Sequence, residues 1–268
     1  MALLNYNGVI CTDDEMLSGA NNRALRYGEG LIETMLWQKN KIRLFDKHVQ
    51  RLQQSLQLLG LPSFEAAQFQ EAVHRVILAN QEPERGMIRA QFFQEGVESQ
   101  LQYMTELLPV EAPAVNWTDQ GLTIGISKNI IKSADSIAHL KSTSRLPYIV
   151  AAKEATANSW DDILICNDKG RLAESTICNL FLIRDQSIYT PPLSEGCIAG
   201  VMRAHLLEQG SIAGMNIMET PLAISDLDTA DEIFLTNAIR GIQPVSRYKD
   251  KTYSSKLSRN IFDLISEL

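Results

Sequence analysis

The alternation of apolar and polar positions divides the chain into short strands and helices. Residues 2–10 read as a strand with a turn at Asn7-Gly8. Leu31 to Trp37 forms a second apolar strand, which Lys39-Asn40-Lys41 turns into a third, Ile42 to Phe45, as a hairpin. From Phe45 to Leu59 the period changes, because Val49, Leu52, Leu56 and Leu59 recur at helical spacing until Gly60-Leu-Pro62 stops the helix. A second helix is expected from Ser63 to Asn80, with Phe64, Phe69, Val73 and Ile77 inward. Met87 to Phe93 and Leu101 to Leu107 alternate like paired strands.

Pro109-Val-Glu-Ala-Pro113 reads as a linker, since two prolines so close resist both helix and central strand. Beyond it the pattern predicts strands at Leu122 to Ser127, Asp162 to Asn167, Asn179 to Arg184, Ser187 to Thr190, Ile217 to Pro221 and Glu232 to Leu235. Helices are expected at Pro147 to Asn158, Val201 to Gln209 and Ser254 to Leu268, with a turn or short helix at Ile224 to Asp228. Mixed elements on both sides of the linker argue for two α/β domains, residues 1–110 and 114–268.

Composition narrows the classes. The 268 residues are 45% hydrophobic and carry a net charge of −7, enough chain for a sizeable core. With only 25 Lys and Arg there is no general field for nucleic acid, although a few pocket arginines could still hold an acidic substrate. Cys11, Cys166, Cys178 and Cys197 contain no Cys-x-x-Cys pair and read as free thiols of a cytoplasmic protein, with no metal-ligand set. The amino terminus lacks the basic and long apolar regions of a signal peptide. No apolar run approaches the ~20 residues needed to span a bilayer.

Four segments carry candidate chemistry. Lys141, in Ile137-Ala-His-Leu-Lys-Ser-Thr-Ser-Arg145-Leu-Pro, precedes a long helical pattern. Leu140 and that helix would desolvate its amine and lower its pKa. Its plain reading is a solvated lysine; Lys153 is the nearest competitor but lies in the middle of the helix. Glu174 follows in Leu172-Ala-Glu-Ser-Thr-Ile-Cys-Asn179-Leu-Phe, otherwise an ordinary turn glutamate of a hairpin at Gly170. Next, in Gly196-Cys-Ile-Ala-Gly200-Val-Met-Arg203, Gly200 frees the backbone and the amides of Val201 and Met202 open a helix where the dipole favours an anion. Upstream, His48 and Arg51 stand one helical turn apart and could share a face, or simply be solvated.

In that order, the lysine, the carboxylate and the anion-binding helix start resemble the signature of the fold-type IV pyridoxal-phosphate enzymes. That family includes D-amino-acid and branched-chain aminotransferases and 4-amino-4-deoxychorismate lyase. The resemblance implies a smaller amino-terminal and a larger carboxyl-terminal α/β domain with pyridoxal 5'-phosphate between them, in a homodimer. It assigns Lys141 to the covalent link with the cofactor aldehyde and to proton transfer, and Glu174 to the pyridine nitrogen. Val201 and Met202 would hold the phosphate through their amides, with Met202 standing where many relatives have threonine. Arg51 would reach the phosphate from the smaller domain. Asn237 and Ala238 would meet it from a loop, Thr236-Asn-Ala-Ile-Arg240-Gly-Ile-Gln-Pro-Val245. Asn21-Asn-Arg23-Ala-Leu-Arg-Tyr27-Gly-Glu-Gly30-Leu-Ile-Glu33-Thr34 is similar to the family segment lining the substrate side, so Tyr27 is expected to meet the substrate, together with Arg89 and, from the loop, Arg240.

Within the family the details point two ways. Gly200-Val-Met-Arg203, Asn237-Ala238 and Lys141-x-x-x-Arg145-Leu are similar to the lyase, which forms 4-aminobenzoate and pyruvate. Arg89 and Arg240 would suit its dicarboxylate substrate. Glu33-Thr34, Tyr189-Thr-Pro-Pro192 and Arg89 in Met87-Ile-Arg-Ala fit aminotransferases as well. The loop Glu95-Gly-Val-Glu-Ser-Gln lacks the Arg-Gly of many D-amino-acid enzymes. The lyase is the first expectation and a branched-chain or D-amino-acid aminotransferase the alternative. A binding protein that had given up the cofactor would lack the lysine or the helix start, and both are present.

Overall fold

A computed structural model describes residues 3–12, 14, 19–96, 100–110 and 116–266. By Cα packing the chain forms two units. The first is Met1–Glu111 with Leu140–Ser144; the second is Ala112–His139 with Arg145–Leu268. Three parts of the sequence reading lie outside the described residues: positions 111–113 of the linker, 97–99 of the loop after Glu95, and both chain ends (residue 2 and residues 267–268).

The first unit is an antiparallel sheet covered on one face by two helices. Its elements are β1 (Leu4–Tyr6), β2 (Val9–Cys11), α1 (Arg23–Tyr27), β3 (Gly30–Gln38), β4 (Lys41–Ile42), α2 (Phe45–Leu58), α3 (Ala66–Ala79), β5 (Arg85–Gln94) and β6 (Leu101–Leu108). The strand order is β2-β1-β6-β5-β3-β4. The third strand expected at Ile42 to Phe45 shrinks to two residues, because Leu44 takes a left-handed conformation (φ 53°, ψ 37°) and Phe45 already begins α2. The second helix starts at Ala66, where Glu65 and Gln68 form a reciprocal capping box, and not at Ser63. Leu31, Met35 and Trp37 of β3 pack with Val49, Leu52 and Leu56 of α2 and with Phe69, Val73 and Ile77 of α3. The short helix α1 went unseen in the sequence, which has too few turns there to show a period.

The segment bearing Lys141 belongs to the contacts of this unit. Ile32 donates its amide to the Lys141 carbonyl (2.8 Å) and Thr143 donates to the Gly30 carbonyl (2.8 Å), around an antiparallel bridge of Leu31 with Ser142. Five residues of the expected carboxyl-terminal domain therefore extend the edge of β3 that the two-residue β4 leaves open.

The second unit is a mixed sheet: β7 (Leu122–Lys132), β8 (Asp162–Asn167), β9 (Arg171–Ser175), β10 (Asn179–Arg184), β11 (Ser187–Thr190), β12 (Ser211–Ile212), β13 (Met215–Glu219), β14 (Leu222–Ala223), β15 (Glu232–Asn237), β16 (Gly241–Tyr248) and β17 (Lys251–Thr252). Its helices are α4 (Leu146–Ala157), α5 (Val201–Gln209), α6 (Asp226–Thr229) and α7 (Lys256–Ile265). The path is β12-β13-β11-β10-β15-β16-β7-β8-β9-β14, with β9 also paired to β10 and β17 to β16. The pairs β11/β13, β16/β7 and β7/β8 are parallel. β7 runs five residues past its expected end at Ser127, and its register against β8 shifts between Ile126 and Ile131. Glu154 of α4 ties that irregularity down, accepting from Ser127 Oγ (2.7 Å) and the Lys128 amide (3.0 Å). The expected loop Thr236 to Val245 is instead a hairpin, with β15 running to Asn237 and β16 starting at Gly241. Pro244 lies inside β16 opposite Phe234, an interior strand position that its missing N–H makes hard to read from sequence.

Candidate active site

Two groups of buried charge stand out, one in each unit. In the first, Glu33 lies on the helix-covered side of β3, 2% exposed, and α2 supplies its partners. Arg51 donates through Nε to Glu33 Oε1 (2.8 Å) and through Nη2 to Oε2 (2.5 Å), a forked charge-assisted pair. His48 Nδ1 lies 2.5 Å from the same Oε2. Burial raises the cost of the Glu33 charge, but Arg51 and then His48 outweigh it and hold the carboxyl down at about 2. Burial pushes His48 below its usual range; the neighbouring charges of Arg51 and Lys141 push the same way, against Glu33. His48 is thus neutral near pH 7, and an ionised Glu33 can only accept, so Nδ1 carries the proton. Its buried Nε2 has no hydrogen-bond partner among the described residues.

Arg51 and His48 therefore share a face, but Arg51 is bound to Glu33 by two of its nitrogens. Arg89 stands on the opposite side of the same sheet, in register with Thr34, and pairs with Glu106 (3.2 Å). The bridge at Leu31 and Ser142 puts Lys141 opposite Ile32, on the side that carries Thr34 and Arg89. Tyr27, at the end of α1, is 66% exposed with its ring under the Arg23 guanidinium (5.1 Å).

In the second unit Glu174 sits on β9, 3% exposed, and its carboxylate is the centre of a network. Tyr148 donates its hydroxyl to Oε1 (2.7 Å), and the Ile198 amide donates to Oε2 (2.9 Å). Lys132 Nζ also bonds Oε1. Burial first, then the Glu174 charge, pushes the Tyr148 hydroxyl far up, so it remains a donor. Arg145 stacks on the Tyr148 ring (3.8 Å) and donates to the Thr176 carbonyl (3.0 Å). Lys132 and Tyr148 were missed in the sequence. Lys132 is 42 residues from Glu174 and no local spacing marks it. Tyr148 lies seven positions after Lys141, inside a helix that reads as a plain apolar run.

The helix start behaves as its glycine suggests. Gly200 caps α5 in an extended conformation without a side-chain cap. A Cβ at Gly200 would meet Asn179 Oδ1 at 1.9 Å, so no side chain fits while Asn179 holds the Ile198 carbonyl (2.8 Å). Val201 and Met202 open the helix, where first-turn amides have no carbonyl of their own helix to bond. Arg203 is a brace, donating to the Pro191 carbonyl (2.8 Å) and pairing with Glu219.

The hairpin after β15 is set by Asn237. Its Oδ1 accepts from the amides of Ile239 (3.0 Å) and Arg240 (2.8 Å), and its Nδ2 donates to Cys178 Sγ (3.2 Å). The Asn237 side chain is thus spent on the turn that presents Ala238 and Arg240. Arg240 is half-buried and donates to Gln243 (3.3 Å). Burial drives the Cys178 thiol up to about 12, and the charge of Arg240 offsets this in part.

Within the second unit, a buried carboxylate in a donor network and a helix start with unbonded first-turn amides suit an anionic aromatic cofactor. The class IV aminotransferase pattern matches residues 30–248, and the chain belongs to that family. It is a pyridoxal-phosphate enzyme, a lyase or an aminotransferase. It is 24% identical over 231 residues to the aminodeoxychorismate lyase of Vibrio harveyi, a match covering 84% of this chain and 85% of that one. Among solved structures it is similar to the 4-amino-4-deoxychorismate lyase of Pseudomonas aeruginosa (25% identity, TM-score 0.86, 99% and 98% of the two chains covered). It also shares the fold of the branched-chain amino acid aminotransferase of Escherichia coli (20% identity, TM-score 0.88, 100% and 94% covered). Among the described residues no helix is long and apolar enough to cross a membrane.

Proposed function

We propose that this enzyme is a 4-amino-4-deoxychorismate lyase, releasing pyruvate and 4-aminobenzoate. When bound, the cofactor supplies an electron-accepting ring that lets a proton leave the carbon bearing the substrate amine. The chain's own residues divide the remaining tasks. Lys141 holds the aldehyde carbon and moves the proton at its Nζ. Glu174 holds the ring nitrogen. The amides of Val201 and Met202, with Arg51, orient the phosphate. The fit rests on the α5 start, whose first-turn amides at Val201 and Met202 have no carbonyl of their own helix to bond, and on the buried Glu174 carboxylate. Loss of pyruvate from the adjacent carbon then aromatises the substrate ring.

The observation that carries the lyase reading is Arg240. It is a half-buried cation fixed by its own turn, its backbone N–H donating to Asn237 Oδ1 and its guanidinium to Gln243 Oε1. The lyase substrate carries two carboxylates, and a guanidinium facing one of them would contribute about 1.5–3 kcal/mol. Arg240→Ala should therefore lower kcat/KM for aminodeoxychorismate by roughly ten- to hundredfold, at about 1.4 kcal/mol per factor of ten. Turnover of a small aliphatic amino acid, with one carboxylate, should fall less. Equal losses for both substrates, or none, would remove Arg240 from the argument. The assay follows 4-aminobenzoate beside keto-acid formation, and keto acid alone would make the enzyme a branched-chain or D-amino-acid aminotransferase.

The working unit in this reading is a homodimer. Helix α4 turns Tyr148, Ala151 and Ala155 toward its own unit and leaves two large apolar side chains of its first turns, Leu146 (68%) and Ile149 (50%), exposed. Large apolar side chains exposed side by side mark an interaction surface. Sedimentation should give twice the chain mass of 29.9 kDa, and Leu146→Glu with Ile149→Glu should shift it to one. A fully active monomer would exclude the dimer.

A further inference from the structure

We infer that Lys132 is a positioning residue for the ring-nitrogen end of the cofactor, holding the Glu174 carboxylate charged and turned to receive it. This rests on the reading of Glu174 given above. A carboxylate offers about four acceptor positions. At Glu174, Oε1 takes Lys132 and Tyr148, and Oε2 takes the Ile198 amide. One position on Oε2 is left for a further donor. The three bonds come from β7, α4 and the segment before α5, so the carboxyl plane is set from three directions.

Charge is the second part. A carboxylate 3% exposed needs an opposite charge to remain ionised. Tyr148 and the Ile198 amide are neutral, and the Arg145 guanidinium lies on the Tyr148 ring with its bond going to Thr176. Among the described residues Lys132 is the cation in salt-bridge contact with Glu174, and its own side chain is only 12% exposed. Its ammonium also lies 5.1 Å from the Tyr148 ring centroid.

The fold places Lys132 deliberately. It is the last residue of β7, beyond the register shift between Ile126 and Ile131, where Ser127 Oγ accepts from the Ile130 amide (3.0 Å). Such an irregularity re-aims the side chains that follow it. The same contact explains why Lys132 does not take over from Lys141. In pyridoxal phosphate the ring nitrogen and the aldehyde-bearing carbon are para to one another, so a lysine bound at the carboxylate faces the wrong end.

Without Lys132, a proton shared between Glu174 and the ring nitrogen should settle on the carboxyl group, leaving the nitrogen neutral. The test is the ¹⁵N shift of the ring nitrogen in holoenzyme reconstituted with ¹⁵N-labelled pyridoxal phosphate at neutral pH. Wild type and Lys132→Arg should give the protonated-pyridine shift. Lys132→Met and Glu174→Gln should give the neutral one. Lys132→Gln is a second uncharged variant should the methionine protein fail to fold. A lysine with only a structural role would lower the melting temperature and leave the shift in place, so a protonated nitrogen in Lys132→Met and Lys132→Gln overturns the assignment. If Glu174→Gln also keeps the wild-type shift, the Glu174 reading falls first and takes this one with it.

Discussion

Lys141→Ala should lose turnover by on the order of 10²–10⁴-fold, the scale of a removed general acid–base group. Borohydride reduction of the wild-type holoenzyme should fix the cofactor on the Lys141 peptide, and the variant should take up no reducible label. The expectation follows from where the lysines stand. Lys141 is held at a defined height on the open edge of β3, its carbonyl accepting from the Ile32 amide while Thr143 donates to the Gly30 carbonyl, with buried Leu140 beside it. Lys128 and Lys153 are exposed, and Lys132 is engaged by Glu174. Label on any of these three would overturn the assignment of Lys141.

Glu33→Gln should cost about 3–5 kcal/mol of stability, the usual loss when one partner of a buried ion pair is removed. The amide keeps the shape of the side chain but leaves Arg51, 9% exposed, without the Glu33 charge, and turns one of two acceptor oxygens into a donor set against Arg51 or His48. Urea unfolding would read the loss; a change below about 1 kcal/mol would place the pair with solvated ones. The same pair sets the acid limit of the fold. Glu33 has a folded value of about 2 against an ordinary 4.5, so the folded state binds fewer protons. Its contribution is complete above pH 4.5 and is lost as pH falls toward 2. His48, lowered from 6.5 mainly by burial, adds a loss of the same sign that begins below that value. In Glu33→Gln the part of the acid transition between pH 4.5 and 2 should flatten. Cofactor affinity should fall as well, since Arg51 would no longer be held by its fork.

Much of this protein is written in local spacing. The three-and-four recurrence of Val49, Leu52 and Leu56 reports α2, because a helix repeats its buried face within one or two turns. The order and spacing of Lys141, Glu174 and Gly200 resemble one family without any coordinates, and the family pattern does match residues 30–248. Short elements escaped for the converse reason. β4, β12, β14 and β17 have two residues each and α1 has five, too few to display any period.

Tertiary structure alone decided which charges meet. Arg51 reaches Glu33 across 18 residues because α2 lies on the covered face of β3. Lys132 reaches Glu174 across 42 because β7, β8 and β9 are neighbours with one shifted register. The Asn237 side chain closes a turn and touches Cys178, 59 residues away. Lys141 lies beyond the linker in sequence and pairs with the first unit in space. The hydrophobic pattern specifies which face of an element is buried. It leaves open which partner will lie against that face and in what register, and a buried ion pair exists only where both are settled.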